Sequence, residues 1–353
     1  MSNYELLGKH IKMIDARNTE SITDRVLGIN IDKFFMPSVA NVIGTDLSKY
    51  KLLTKGVFAC NPMHVGRDER LPIALYSEDD PAIVSPAYYM FIVRDESVLD
   101  RDYLMMWFRR PEFDRVCWLK TDGSVRGGLS WDDLCRMEIP VPTIDEQKHI
   151  VEMYDAITKR INLKRRINDN LDSIAYALYK ETFIDTANSA WHSGTLNELL
   201  SVKYGKDHKH LKDGSIPLFG SGGIMRYVEK SLYDKVSVLI PRKGTLSNVL
   251  YVDEPFWSVD TMFYTEIHKP FAAKFIYYFV RSKDLAGMDT GSAVPSMSSE
   301  IIHSMQLNIP DDDTLIDFDA KLSPIYEQIK KNNKECAFLN ALKEVLLSTI
   351  SSR

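Results

Sequence analysis

Residues 143–183 read TIDEQKHIVEMYDAITKRINLKRRINDNLDSIAYALYKETF, a run with neither Gly nor Pro. Down it fall Ile150, Tyr154, Ile157, Ile161, Lys164, Asn168, Leu171, Ala175 and Leu178, alternately four and three apart. That spacing keeps one stripe of a helix against a partner. At about 1.5 Å per residue such a rod is roughly 60 Å long, beyond the reach of an ordinary packing helix. Lys164 and Asn168 interrupt the stripe, so its centre is wet or sets register and is not a uniform zipper.

The rod occurs twice. Moving 168 positions along gives Phe318, Leu322, Ile325, Ile329, Asn332, Cys336, Leu339, Lys343 and Leu346, again with a polar centre. The match continues upstream without a gap: Gly123-Ser124 falls on Gly291-Ser292, Leu129-Ser130 on Met297-Ser298, Met137 on Met305, and Val141-Pro142 on Ile309-Pro310. A fixed offset held this long is an internal duplication. Each rod also has a start signal. Thr143 and Glu146 fit a capping box, while Asp311, Asp312 and Asp313 place carboxylates at the positive end of the second helix.

With 353 residues, 26% charged and 44% apolar, the chain has room for two ordinary domains besides the rods. No run of eighteen apolar residues occurs and the start MSNYELLGKH has no cleavable apolar core, which together imply a cytoplasmic protein without a membrane span. Cys60, Cys117, Cys135 and Cys336 form no C-x-x-C pair, so reduced, buried thiols are expected. The formal net charge of −5 runs against solitary binding of nucleic acid, which favours a basic surplus.

Residues 1 to about 142 read as an α+β unit of short strands. Val26–Ile31, Val57–Ala59, Ile73–Tyr76 and Tyr88–Val93 are strand-like, and Leu99–Arg109 is a helix ended by Pro111. Residues from about 190 to 310 repeat that logic with strands at Ile216–Phe219, Val236–Ile240, Val249–Val252 and Met262–Tyr264, then a helix at Lys274–Arg281.

Catalytic signatures are weak. Asn61-Pro62-Met63-His64 lacks the second Pro and the aromatic of an amino-methyltransferase motif. Gly220-Ser221-Gly222-Gly223 has no Lys-Ser/Thr and is a turn, not a P-loop. Glu146-Gln147-Lys148 is half a nuclease motif in a position that helix capping explains better. His208 and His210 lack a third ligand at metal spacing, so no metal site is expected. Binding residues are plentiful. Lys203, Tyr204, Lys206, His208, Lys209 and His210 form a basic, aromatic loop; Arg226, Arg242, Lys243, Thr245 and Asn248 lie in or beside Gly-rich turns. In the first unit Arg17, Asn18, Lys33, Asn41, Lys49, Asn61, His64, Arg67 and Arg70 cluster in turns. Such side chains on loops suit phosphate positioning and base-edge reading, although any single one could serve a solvated face.

IPVPTIDEQKHIV followed by a long heptad helix, duplicated after a second variable unit, resembles the specificity subunit of type I restriction–modification systems. DRVLGINIDKFFMPSVANVIGTDLSKYKLL in one unit, and IPLFGSGGI, LIPRKGTL and SVDTMFYT in the other, look like target-recognition domains of that family. The resemblance implies an α+β fold with two target-recognition domains, residues 1–142 and 187–310. Two long antiparallel helices, residues 143–186 and 311–353, would separate them as a pseudo-two-fold coiled coil. It implies a non-catalytic reader of a bipartite double-stranded DNA target, with the helices fixing the gap between halves. Two methyltransferase subunits would dock on the helices and restriction subunits outside them, with Pro142, Glu146 and Gln147 as candidate partner contacts. S-adenosylmethionine, ATP and Mg²⁺ would belong to those partners and none to this chain. NIPDDDTLIDF at the second junction departs from the pattern by lacking the Glu-Gln pair. A coiled-coil scaffold whose heads bind protein is the rival, and it accounts less well for two dissimilar heads rich in loop Arg, Lys and Asn.

Overall fold

A computed structural model describes residues 4–40, 42–121, 127–288 and 296–350. It divides into two compact units, one formed by Met1–Leu163 with Glu335–Arg353 and the other by Lys164–Lys334. Two long helices, Ile144–Lys180 and Asp312–Thr349, contribute to both units. The fold is α+β, with the paired rods that the repeat demands. Both Gly-Ser pairs of that repeat lie outside the described residues.

In the first unit the strand Tyr4–Leu6 pairs antiparallel with Glu138–Pro140, bringing the front of the head to its back. Between them lies a four-stranded antiparallel sheet in the order Ile11–Ile14, Tyr89–Val93, Phe58–Cys60, Ile73–Leu75. Phe58 and Phe91 face each other across this sheet with ring centroids 5.0 Å apart, and Phe108 meets Phe58 edge-on. Phe108 comes from the helix Arg101–Phe108, whose first amides are capped by the Asp100 carboxylate. Pro111 does not simply end that helix, as the sequence suggests. It opens another, Pro111–Leu119, at the first helical position, where its missing N–H costs nothing.

The second unit follows the same order. His192–Thr195 pairs with Gln306–Ile309, and a four-stranded sheet runs Leu200–Tyr204, Met262–Ile267, Ser237–Pro241, Leu250–Val252. It has a second sheet in which Asp213–Gly220 lies between Gly223–Val228 and Trp257–Ser258. Ser130 and Ser298, matched by the repeat, do the same work in their own units. Each caps a short helix through its hydroxyl, Trp131–Cys135 and Ser299–His303.

Each unit holds one stretch of the antiparallel helix pair. In the first, Ile150 and Tyr154 share a core with Leu346 and Leu347, while Ile157 and Ile161 pack on Cys336 and Leu339. In the second, Ala175, Leu178 and Tyr179 pack with Phe318, Leu322 and Ile325; Leu171 and Ile329 are half-buried. The seam there drifts by one residue from the strict heptad reading: Tyr179 is buried and Leu178 only partly so. A straight helix turns every 3.6 residues, and the shifted ring is received by Phe275 from the head and by Phe183 one turn further along the rod.

The polar centre of the stripe is a bonded network. Lys164 donates to Asn332 Oδ1 (3.1 Å), Asn332 to Asn168 Oδ1 (2.7 Å), Asn168 to Asn333 Oδ1 (2.8 Å) and Gln328 to Asn332 Oδ1 (2.9 Å). Asn332 is buried, so these bonds satisfy groups that would be costly to strand.

Both helix starts form as read. Thr143 N–H donates to Glu146 Oε2 (3.0 Å) and Glu146 N–H to Thr143 Oγ1 (3.4 Å); in the second helix Asp311 Oδ1 accepts from Thr314 N–H (2.8 Å). Pro324 lies inside the second helix without ending it. Its ring is exposed while Leu322 and Ile325 on either side are packed, so tertiary contact outweighs the lost bond. Cys60, Cys117 and Cys336 are buried and Cys135 half-buried, all as free thiols; burial pushes the Cys60 and Cys117 thiols well up. No helix among the described residues is long and apolar enough to cross a membrane.

Candidate nucleic-acid interface

The strand Leu200–Tyr204 ends on Tyr204, whose side chain is 51% exposed. Phe263 supports the ring edge-on at 5.0 Å, and the Arg242 guanidinium lies 5.2 Å from its centroid. Arg242 is held in turn by Asp260 O, to which Nη1 donates at 3.2 Å. The chain then passes so close to Val259 that a Cβ on Gly205 would sit 2.0 Å from the Val259 carbonyl oxygen, and only glycine fits. Lys206 is pinned through its backbone: its N–H donates to Ser258 O (2.8 Å) and its carbonyl accepts from Trp257 Nε1 (3.1 Å). Its side chain is left exposed.

Two loops complete this face. Gly244 takes a positive φ of 85°, which turns residues 242–248 against the hairpin turn at Ser221, and Asn248 Nδ2 donates to Ser221 O (2.9 Å). Lys243 and Thr245 are exposed beside it. Among the described residues Lys206, Lys209 and Lys243 form no ion pair, so their charges remain available to an anion.

Other residues singled out in this unit shape the loop instead. Arg226 donates from Nη1 to Asp213 Oδ1 (2.8 Å) and from Nη2 to the carbonyls of His208 (2.8 Å) and Leu211 (3.0 Å). His210 faces Asp207 and sits edge-on to Trp257, and Lys203 pairs with Glu266 at 3.3 Å. No group of His, Cys, Asp and Glu among the described residues could hold a metal ion.

The first unit distributes its candidates differently. Lys33 is 5% exposed and has a left-handed backbone (φ 67°). Its ammonium donates to Phe108 O and to Asp114 Oδ1 (2.7 Å), an oxygen that also accepts from Leu71 N–H (3.1 Å). Burial lowers the Lys33 pKa, against the pull of Asp114. Asn18 is 1% exposed and donates to Thr23 O (2.8 Å). Both are parts of the scaffold, inaccessible to a ligand. Asn61 caps a short turn by accepting from Met63 N–H (3.2 Å).

At the surface Arg17 donates to Asp15 and to Lys49 O (both 2.8 Å), holding the Asp15 carboxyl below its usual range. Lys49 faces Asp46 (3.5 Å), Arg67 faces Asp68 (2.6 Å) and Arg70 faces Asp32 (3.0 Å). Asn41 and the His64 side chain lie outside what is described.

At the first rod's start, Gln147 is fully buried. It donates to Val98 O (2.8 Å) and Pro142 O (2.9 Å) and accepts from Asp100 N–H (2.8 Å). It fastens the helix to its own head and leaves no amide group for another protein. Glu146 closes the capping box, and Pro142 is half-buried.

The sequence reading passed over Ile224 and Met225. The hairpin pairs Phe219 with Ile224 and Leu218 with Arg226, skipping Met225, so the register shifts at that point. Only the Gly-Gly turn before GIMRY hints at a hairpin, and a bulge leaves no periodic signal.

These features define two α+β heads, each with its own stretch of the helix pair. Residues 188–336 match the family described as the type I restriction modification DNA specificity domain. The chain is similar to the type I restriction enzyme MjaIX specificity subunit of Methanocaldococcus jannaschii, at 23% identity over 317 residues covering 76% of this chain and 72% of that one. Its fold is like that of the type I restriction–modification S subunit from M. genitalium (TM-score 0.57, 16% identity, 99% of this chain and 96% of the other). A chain from a structure titled for complex assembly and conformational transition of the type I R-M system is similar too (TM-score 0.50, 14% identity, 99% and 97%). Residues 188–336 thus carry the match to a type I restriction modification DNA specificity domain, and the chain is similar to a type I restriction enzyme specificity subunit over most of its length.

Proposed function

We propose that each unit reads one half of a bipartite double-stranded DNA target, the long helices fixing the gap and docking two methyltransferase subunits. The observation that carries the reading is the face of the second unit. There Tyr204 and Arg242 stack beside Lys206, Lys243, Thr245 and Asn248, and the two lysines form no ion pair among the described residues. Cations of this kind fix a protein on phosphates, and Arg and Asn on supported loops read base edges. Helices of 37 and 38 residues, about 55 Å each, run through both units and suit a ruler. The net charge of −5 fits a reader that relies on partner subunits for many phosphate contacts. S-adenosylmethionine, ATP and Mg²⁺ then act on those partners, as do the restriction subunits, and the methylated adenine is extruded by the assembled complex.

Mapping N6-methyladenine across the genome with and without this gene tests the reading. Loss of one split motif is the expected result, and an unchanged methylation pattern rejects it.

A further inference from the structure

Arg110 stands between the helices Arg101–Phe108 and Pro111–Leu119 of the first unit and is only 6% exposed. A guanidinium has five N–H donors and keeps its charge, so one taken out of water needs acceptors around it. Arg110 lacks them. Its Nε is fully covered without a hydrogen-bond partner, and neither Nη forms a hydrogen bond among the described residues. Its ion pair is with Glu112, whose Oε2 lies 3.6 Å from Nε, too far for a hydrogen bond. Glu112 is already bound by Arg115 Nη2 at 2.8 Å. Burial lowers the Arg110 pKa, with Glu112 pulling the other way.

The second unit shows what such a group ordinarily finds. At the end of its helix Ala273–Arg281, Arg281 donates to Asp172 Oδ1 (2.7 Å) and to Tyr277 OH (3.1 Å). Arg110 faces space instead. It lines a cavity of about 400 Å³ in the first unit, within the roughly 300–1,000 Å³ of small-molecule sites. Trp107, Phe113, Val116, Met137 and Tyr4 give that cavity an apolar and aromatic wall, with the Trp107 and Phe113 rings 5.0 Å apart. Lys120 and Arg136 join Arg110 in the lining against Glu112 and Glu138, three cations to two carboxylates. A dianion would be repelled by the two glutamates. A planar carboxylate of single charge matches a guanidinium edge through two parallel bonds, and an apolar body suits the rings.

We propose that this cavity is a binding site for a monocarboxylate carried on an aromatic or apolar body, held by the Arg110 guanidinium. The site needs no DNA and stands apart from the reading above. Two sources present this chemistry: a free small acid and the C-terminus of a peptide chain.

The test titrates the full chain, without DNA, with benzoate, benzamide and N-acetylphenylalanine in a calorimeter. Benzoate is expected to bind one to one. Benzamide has the same shape without the charge and should bind more weakly, on the order of ten- to a hundredfold. N-acetylphenylalanine binding more tightly than benzoate assigns the site to a chain terminus, and the reverse order to a free acid. R110M should abolish binding of both acids. V116W keeps Arg110 in place: Val116 is 41% exposed, so a larger ring there can occupy the cavity without disturbing the core, and binding should again be lost. Equal affinity for benzoate and benzamide overturns the proposal. So does undiminished binding in R110M, or no binding of either acid to the wild type.

Discussion

The two heads carry similar numbers of candidate cations but spend them differently. In the first unit Arg17, Lys49, Arg67 and Arg70 each face an acid, and Lys33 is buried against Asp114. In the second, Arg242 lies on a tyrosine ring, and Lys206, Lys209 and Lys243 form no ion pair among the described residues. An exposed ion pair contributes little stability but does neutralise the charge a phosphate would seek. On the proposed reading the second head would offer a phosphate bare charge, whereas the first would exchange its carboxylates for phosphates. The contrast predicts unequal salt dependence for the two half-targets.

The largest expected effect breaks the first head. K33M leaves Asp114 as a buried, uncompensated carboxylate and should destabilise that unit by roughly 3–5 kcal/mol, read as an early transition in denaturant that leaves the second unit's transition in place. A single unshifted transition would show that the pair contributes little. Next comes the interface itself. R242A should cost roughly 1–3 kcal/mol in affinity and relax discrimination only in the second half-target, measured by competition with half-target variants. The paired R67A should change affinity far less, and equal losses would erase the distinction between the heads. Smaller again, K243Q should weaken binding to all sequences uniformly and reduce the slope of log affinity against log salt by about one. An unchanged slope removes Lys243 from the phosphate contacts.

The rods were readable because a packed helix writes its period into the sequence. The repeat at Leu129-Ser130 and Met297-Ser298 was readable because a cap needs a hydroxyl at one fixed place. Pro111 was misread because a proline that ends one helix and a proline that begins another look alike without the next turn's packing. The site was less legible. Arg226 and Arg242 are both arginines beside turns, yet one clips carbonyls within its loop and the other rides on Tyr204. Partner identity set their roles, and partners distant in sequence cannot be read from residue type. Lys33 shows the same limit: Asp114 lies eighty-one positions away.

The two rod starts offer the finest contrast. The first is capped by the Thr143 hydroxyl with Glu146 reaching back, the second by the Asp311 carboxylate. The amide of Thr314, donating to that carboxylate, holds the Asp311 pKa below its ordinary 3.8. Because the folded value is the lower one, the cap's contribution is fully present above the unfolded value and fades as pH falls through the folded one. Protonation then removes the charge that the helix N-terminus favours. Amide exchange at Thr314, compared between wild type and D311N at each pH, isolates this group from the other carboxylates that titrate nearby. The wild-type advantage should be steady from pH 7 down to about 4 and should shrink below it. An advantage that survives to the lowest accessible pH would mean that the bond geometry, not the charge, carries the cap, and the two starts would then be equivalent.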